Sequence, residues 1–249
     1  MTSTLTLSCP EGIVLATDCR ITLVDQDGNI SGYKDGIDKI YQFSKSVIGM
    51  SYWGLASFSS ATILQHLKKF ETSQVTEKDN VHSISEKLKS YLEGLVPKID
   101  QGVGIHVAGY CVGENGKLYP QIRHVFHVSW HKPGQFTNEN SNEEYHLQDG
   151  TKRTHPYDPF IALFNGDNAI ANSFFNFVPN VFPKRRRQII LDLLTINQAI
   201  DLAKLTIRTS GEILDFLYTI DKEKAIPTVR GLQIAKITKE KGFSWVQKS

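Results

Sequence analysis

The first fifty residues alternate as strands do. In Thr4-Leu5-Thr6-Leu7 the polar and apolar side chains fall on opposite faces. Pro10-Glu11-Gly12 is a turn, and Ile13-Val14-Leu15-Ala16 is a short apolar run of the kind that buries both faces of a strand. Asp25-Gln26-Asp27-Gly28-Asn29 carries the Asp-Gly chemistry of a hairpin tip. Ile40-Tyr41-Gln42-Phe43 and Val47-Ile48-Gly49-Met50 predict a further hairpin. The period then changes. From about Ala56 to Phe70 the apolar residues Ile63, Leu64 and Leu67 recur at helical spacing, and a second helix is predicted near Ile84–Leu95. Strands return at Gly104–Val112 and Leu118–His127, joined by Gly113-Glu114-Asn115-Gly116.

Residues from about 132 to 158 have little periodicity and are rich in Asn, Glu, His, Gly and Pro. They predict a long surface loop inserted into one domain spanning 1–249. Beyond it come a short strand (Phe160–Phe164), a helix (about Ala169–Phe177), a long helix (about Asn197–Leu217) and two last strands near Gly231–Ile237 and Phe243–Val246. Runs of strands followed by runs of helices predict an α+β fold with antiparallel sheets. Two such sheets between helix layers would bury every apolar face.

Composition narrows the function. The chain has 249 residues, 40% hydrophobic and 22% charged, with a net charge of +2. That balance does not point to nucleic acid or an anionic membrane as the main partner. The basic run Lys184, Arg185, Arg186 and Arg187 reads as a solvated helix face. Cys9, Cys19 and Cys111 are scattered, with no CxxC, which fits a reducing compartment. The first residues lack a basic segment followed by a long apolar run, so neither a signal peptide nor a membrane span is expected, and a cytoplasmic protein is. His131, His146 and His155 lie in or near the insertion without metal-ligand spacing, and read as polar surface. His124 and His127 are three apart on a strand and so face opposite ways. No metal and no cofactor is expected.

The candidate chemistry starts at Thr2. Removal of Met1, plausible before so small a residue, leaves a hydroxyl and a free α-amine on one residue. Such an amine has a reference pKa of about 7.7–8.0, so part of it is neutral near pH 7 and accepts a proton. A hydroxyl is a weak nucleophile without an adjacent base, and here the base belongs to the same residue. Asp18-Cys19-Arg20-Ile21-Thr22 follows the apolar strand, Asp38-Lys39-Ile40 opens another, and Met50-Ser51-Tyr52-Trp53-Gly54 closes the hairpin before a helix.

In these residues the chain resembles the proteasome β-subunit family of N-terminal nucleophile hydrolases. The resemblance rests on Thr2, Gly12 and Asp18-Cys19-Arg20-Ile21-Thr22, with the family's spacing kept from Thr2 to Asp18. Weaker matches follow at Val107-Ala108-Gly109-Tyr110, at Gly116-Lys117-Leu118-Tyr119, and at the helix Ala199–Gly211 ending in Ser210-Gly211. The resemblance implies a four-layer αββα sandwich with two antiparallel sheets between helix layers. It implies Thr2 as nucleophile, its α-amine as proton acceptor, Lys39 lowering the hydroxyl's pKa, Asp18 orienting that lysine, the Gly54 N–H stabilising an oxyanion, and Ser210 as a late supporting residue. Thr22 would pair a substrate strand through its backbone. It further implies a peptide or protein substrate and a homo-oligomer, ring-shaped in one form.

Plainer readings stand beside these. Asp18 and Arg20 also read as a surface ion pair, Lys39 as an exposed strand-end lysine, and Ser210-Gly211 as a helix C-cap. The chain also departs from the family's pattern. Lys34, not Lys39, has the plain separation from Thr2, whereas Lys39 opens the next strand. Alignment without gaps from Lys39 puts Trp53 at the oxyanion position, where its ring would line the specificity pocket and favour small or flat side chains. Ile207 stands where the family has an Asp, and Asn165-Gly166-Asp167-Asn168 lies roughly at the family's Gly-Ser-Gly segment, so Asp167 is a candidate neighbour of Thr2. The leading expectation is a threonine-dependent amidohydrolase cleaving peptide bonds. The rivals are a non-catalytic structural subunit, a transpeptidase or ligase sharing the acylation step, and a small-molecule amidase.

Overall fold

The computed structural model describes residues 3–24, 30–44, 46–58, 61–95, 102–113, 116–127, 135–140, 161–166, 193–220 and 230–248. The strands are β1 (Ser3–Cys9), β2 (Gly12–Thr17), β3 (Ile21–Val24), β4 (Ile30–Lys34), β5 (Ile40–Gln42), β6 (Gly49–Gly54), β7 (Ser57–Phe58), β8 (Ala61–Thr62), β9 (Val103–Val112), β10 (Leu118–His127), β11 (Thr137–Asn140), β12 (Ile161–Gly166), β13 (Gln233–Thr238) and β14 (Gly242–Gln247). The helices are α1 (Ile63–Gln74), α2 (Val81–Leu95) and α3 (Ile196–Ile220). One five-stranded sheet runs β12-β1-β2-β13-β14 and a second runs β11-β10-β9-β6-β5. Every pairing among these strands is antiparallel, which makes the fold α+β.

The alternation along β1 decides how the first sheet is used. Leu5, Leu7 and Cys9 pack with Val14, Ala16 and Ile234 against Ala199, Ile200, Ala203 and Ile207 of α3. Thr4 and Thr6 point the other way and bond to residues of β6 and β9 in the second sheet. α3 starts at the β1–β2 turn, where the Ile196 N–H donates to Glu11 Oε2 at 2.8 Å. Ile13, Leu15, Ala235 and Ile237 of the first sheet meet Ile40, Ala108 and Ile122 of the second. The opposite face of the second sheet (Met50, Tyr52, Val103, Ile105, Val107, Val125) packs on Ile63, Leu67 and Phe70 of α1 and Ile84, Leu88 and Leu92 of α2. Each fully buried side chain of this size stabilises the fold by about 1.5–3 kcal/mol over its exposed state.

Several boundaries differ from the sequence reading. The first helix begins at Ile63 rather than near Ala56, because β7 and β8 pair across 57–62 and Thr62 then caps the helix in a capping box with Gln65. Residues 137–140 within the expected loop are a strand, β11, whose backbone pairs with Arg123–Phe126. Its sequence, Thr-Asn-Glu-Asn, carries no apolar alternation; main-chain pairing with β10 and the Asn138 side chain, bonded to Arg123, Ser85 and Glu86, hold it in place. The long helix predicted over about Asn197–Leu217 runs Ile196–Ile220, so it does not end at Ser210-Gly211 as the resemblance implied. The predicted hairpin tip 25–29, the helix 169–177 and the basic run 184–187 lie outside the described residues; the flanks of the tip, β3 and β4, do pair. No helix among the described residues is long and apolar enough to cross a membrane.

Candidate functional site

The first and second sheets meet at one buried ion pair. Asp18 follows β2, and its backbone N–H donates to Ser3 O at 3.1 Å, so the start of β1 and the end of β2 are locked together. In return the Ser3 N–H donates to Asp18 Oδ1 at 2.8 Å, and the Arg20 N–H donates to Asp18 Oδ2 at 3.0 Å. Lys39 immediately precedes β5 of the second sheet. Its Nζ donates to the same Asp18 Oδ1 at 2.9 Å and also to the Arg20 carbonyl. Both side chains of the pair are at 0% exposure.

Burial dominates the protonation of this pair. It pulls the Lys39 ammonium below its ordinary range, against the opposing pull of the Asp18 charge. It pushes Asp18 upward, opposed by Lys39 and by the amides of Ser3 and Arg20. Charges taken out of water in this way persist only with close geometry and satisfied hydrogen bonds. Here the carboxylate accepts three donors, and Lys39 is held at its backbone as well: the Lys39 N–H donates to Gln233 Oε1 at 2.9 Å. The Gln233 side-chain N–H in turn donates to Asp38 Oδ1, and the Tyr52 hydroxyl donates to Asp38 O at 3.0 Å. The Tyr52 N–H bonds Lys39 O at 3.1 Å, while Thr4 Oγ1 donates to Tyr52 O at 3.0 Å.

The structure separates the two candidate lysines. Lys34 ends β4 on the exposed side of the β3–β4 ribbon; Lys39 is buried against Asp18. Asp18 is therefore not half of a surface pair with Arg20, nor is Lys39 an exposed strand-end lysine. The Arg20 guanidinium instead grips Asp35 through two bonds, Nε to Oδ1 at 2.6 Å and a terminal N–H to Oδ2 at 2.9 Å, and lies 5.1 Å from the centre of the Tyr33 ring. That guanidinium holds the Asp35 carboxyl below its usual range. Thr22 lies in β3 opposite Tyr33.

Gly54 closes β6 with φ +82, and a Cβ there would sit 2.1 Å from Gly102 O, so only glycine fits this backbone. Trp53 turns its indole over Gly104 of the neighbouring strand, and its N–H donates to His124 Nε2 at 3.0 Å. His124 and His127 do face opposite ways: His124 stacks on Phe126 with centroids 4.3 Å apart, and His127 packs against Phe136. Ser210 is buried inside α3, where its hydroxyl donates to Thr206 O at 2.8 Å, and Ile207 belongs to the apolar core of that helix. Neither a helix end nor a C-cap occurs at Ser210. The segment lying against Cys19 is Arg230-Gly231: the Cys19 N–H donates to Arg230 O at 2.9 Å. Gly231, with φ +69, comes so close that a Cβ would lie 3.0 Å from Cys19 Cβ.

Thr2 and Asp167 lie outside the described residues, as do His131, His146 and His155. All three cysteines are buried, and none forms a disulfide. Among the described residues no three His, Cys, Asp or Glu side chains gather as a metal ion requires. Sequence reasoning missed Tyr52 and Gln233, and also His106 of β9, whose buried ring lies 2.9 Å from Thr6 Oγ1 and 2.6 Å from Asn165 Oδ1 between the sheets. For Gln233 and His106 a signal was present, since each is a polar residue set in an apolar strand, in Leu232-Gln233-Ile234 and Ile105-His106-Val107.

No family model matches the chain, and no curated protein matches it. Solved structures do. One is the Anbu (Gly-1) mutant from Hyphomicrobium sp. strain MC1, which aligns over 100% of this chain and 86% of its own with a TM-score of 0.52 and 9% sequence identity. At that identity the likeness is one of fold alone.

Proposed function

We propose that this chain is an N-terminal threonine hydrolase of the proteasome β-subunit type, built as a four-layer αββα sandwich. In this reading Met1 is removed and Thr2 cleaves peptide bonds through an acyl-enzyme. The observation that carries it is the Asp18 carboxylate. Its Oδ1 accepts both from the Lys39 ammonium at 2.9 Å and from the Ser3 amide at 2.8 Å, and that amide is the one joining Ser3 to Thr2.

The chemistry runs as follows. The Thr2 hydroxyl attacks the substrate carbonyl carbon while the α-amine takes its proton. The Lys39 ammonium, held by Asp18 and the Arg20 carbonyl, stabilises the developing alkoxide by its charge. The N–H at Gly54 or at Trp53 donates to the oxyanion. The proton held on the amine passes to the leaving amine as the C–N bond breaks, leaving an ester on Thr2, which water then hydrolyses. Thr22 pairs the substrate strand, and copies of the chain assemble into a homo-oligomer.

A second reading, a non-catalytic structural subunit, draws on α3. Ile207, packed in the core, stands where the family has an Asp, and the Ser210 hydroxyl is engaged by Thr206 O within the helix. Intact mass followed by incubation with a threonine-directed electrophile separates the two. A hydrolase loses Met1 and gains one adduct that Thr2→Ala abolishes. A Met-free protein that takes no adduct, and behaves as Thr2→Ala does, refutes the enzyme reading and leaves the structural one.

A further inference from the structure

Gln233, the first residue of β13, is wholly buried and bonds to both residues of the step from Asp38 to Lys39. Its Oε1 accepts the Lys39 backbone N–H at 2.9 Å, and its NH2 group donates to Asp38 Oδ1. A backbone N–H only donates, so the amide oxygen faces Lys39 and the amide nitrogen faces Asp38. The side chain is thereby held in one orientation. Its neighbour Ile234 packs against α3, so alternation along β13 turns Gln233 towards the second sheet.

Register gives these bonds their meaning for the lysine. Gln233 is the cross-strand partner of Thr17, the residue before Asp18. Asp18 holds the far end of Lys39, its Oδ1 accepting from Nζ at 2.9 Å. The lysine is therefore gripped at its backbone from β13 and at its ammonium from the end of β2, and those two strands are neighbours in one sheet. An ammonium on a flexible four-carbon stem wanders when one end alone is held. With both ends referred to the same pair of strands, it has one place. The second sheet holds the same step from its own side: the Tyr52 N–H donates to Lys39 O at 3.1 Å, and the Tyr52 hydroxyl to Asp38 O at 3.0 Å.

We infer that Gln233 is a positioning residue for the proposed reaction: by holding the Lys39 backbone to the sheet that carries Asp18, it sets where the lysine charge sits. This rests on the Thr2 reading above, in which that charge stabilises the developing alkoxide. Gln233 acts through Lys39 and adds no covalent step.

The test uses the full chain, with Met1 removal checked by intact mass and the folded fraction measured by circular dichroism at each pH. Wild type, Gln233→Met and Gln233→Glu are labelled with an acetylated tripeptide vinyl sulfone from pH 5.5 to pH 9, and rates are taken per folded molecule. Gln233→Met keeps a side chain of similar length and loses both bonds. Its maximal labelling rate falls about tenfold or more, since a misplacement near 1 Å costs up to about a hundredfold. Its half-saturating probe concentration stays at the wild-type value. Gln233→Glu is the rescue. Protonated, its carbonyl oxygen accepts from the Lys39 N–H and its O–H donates to Asp38 Oδ1, as the amide does. Ionised, it sets a second carboxylate against Asp38, and the two hold one proton as a pair until pH rises far enough to remove it. The ratio of its maximal rate to that of wild type is therefore near one at pH 5.5 and falls towards the Gln233→Met level as pH rises.

A residue that only filled the seam would change the folded fraction and leave rates per folded molecule as they were. A wild-type maximal rate in Gln233→Met overturns the inference, as does a loss confined to the half-saturating concentration or a Gln233→Glu ratio that does not vary with pH. A wild type that takes no label overturns the Thr2 reading and this inference with it, an outcome distinct from a labelled wild type with unaltered variants.

Discussion

His106 makes the stability of this protein depend on pH in a way that can be worked out in advance. The ring is wholly buried between the sheets, and its pKa falls from 6.5 to about 4, chiefly through desolvation. The unfolded chain binds a proton at His106 as pH drops through 6.5, but the folded chain does not until about pH 4. The unfolded state therefore gains over this window, and stability is lost as pH falls from 6.5 towards 4, then levels off for this group. Each pH unit corresponds to about 1.4 kcal/mol, so the whole window amounts to roughly 3 kcal/mol. The perturbation is His106→Gln, which removes the titrating ring and keeps a polar side chain. The assay is urea unfolding at half-unit steps from pH 7 to pH 4 in both proteins. At pH 7 the variant is less stable by about 1–3 kcal/mol, because Thr6 and Asn165 share one amide in place of a bridging ring. As pH falls the two curves converge, by about 1.4 kcal/mol per unit at most. Protonation of surface carboxylates acts on both proteins alike and cancels in the difference. His124, also held well below 6.5 by burial and by the neighbouring His106, adds to the acid sensitivity of the wild type. Parallel curves, with a constant gap from pH 7 to pH 4, would refute the reasoning and mean that His106 is not held neutral in the fold.

Three further outcomes follow from the geometry. Lys39→Met leaves the Asp18 carboxylate buried without its cation and costs about 3–5 kcal/mol in urea unfolding, whereas Lys34→Ala stays within about 0.5 kcal/mol; equal effects would show that Asp18 does not depend on Lys39. Gly54→Ala forces a Cβ against Gly102 O on a backbone with φ +82, and lowers stability by about 2 kcal/mol or more, read as a fall in the denaturant midpoint. Thr62→Ala removes the side-chain acceptor of the Gln65 N–H at the start of α1 and lowers stability by about 1 kcal/mol, with a matching fall in melting temperature.

The strands of the first sheet were readable because alternation is local: Leu5 and Leu7 face α3, while Thr4 and Thr6 face the second sheet. The same local logic fails at β11, whose Thr-Asn-Glu-Asn has no apolar face and is held by partners distant in sequence, the β10 backbone and the Ser85 and Glu86 side chains bonded to Asn138. At Ser210-Gly211 two local signals conflict: the Ser-Gly pair reads as a helix end, whereas the apolar period carries the helix on to about Leu217. In the structure the helix runs on to Ile220, with Ser210 and Gly211 both buried along it.

The candidate site divides along the same line. Sequence by itself determined that Asp18 ends an apolar strand, that Lys39 opens another, and that a glycine closes the hairpin at position 54, since strand period and turn chemistry are properties of a few adjacent residues. Only the tertiary structure shows that Lys39 is buried against Asp18, a carboxylate 21 positions away, while Lys34 is exposed. It alone brought Gln233 to the Lys39 amide across 194 positions, and His106 to Thr6 across 100. Such pairs carry no local pattern. They exist because two sheets, each held by its own apolar face, approach closely enough that every polar group between them must find a partner from the other side.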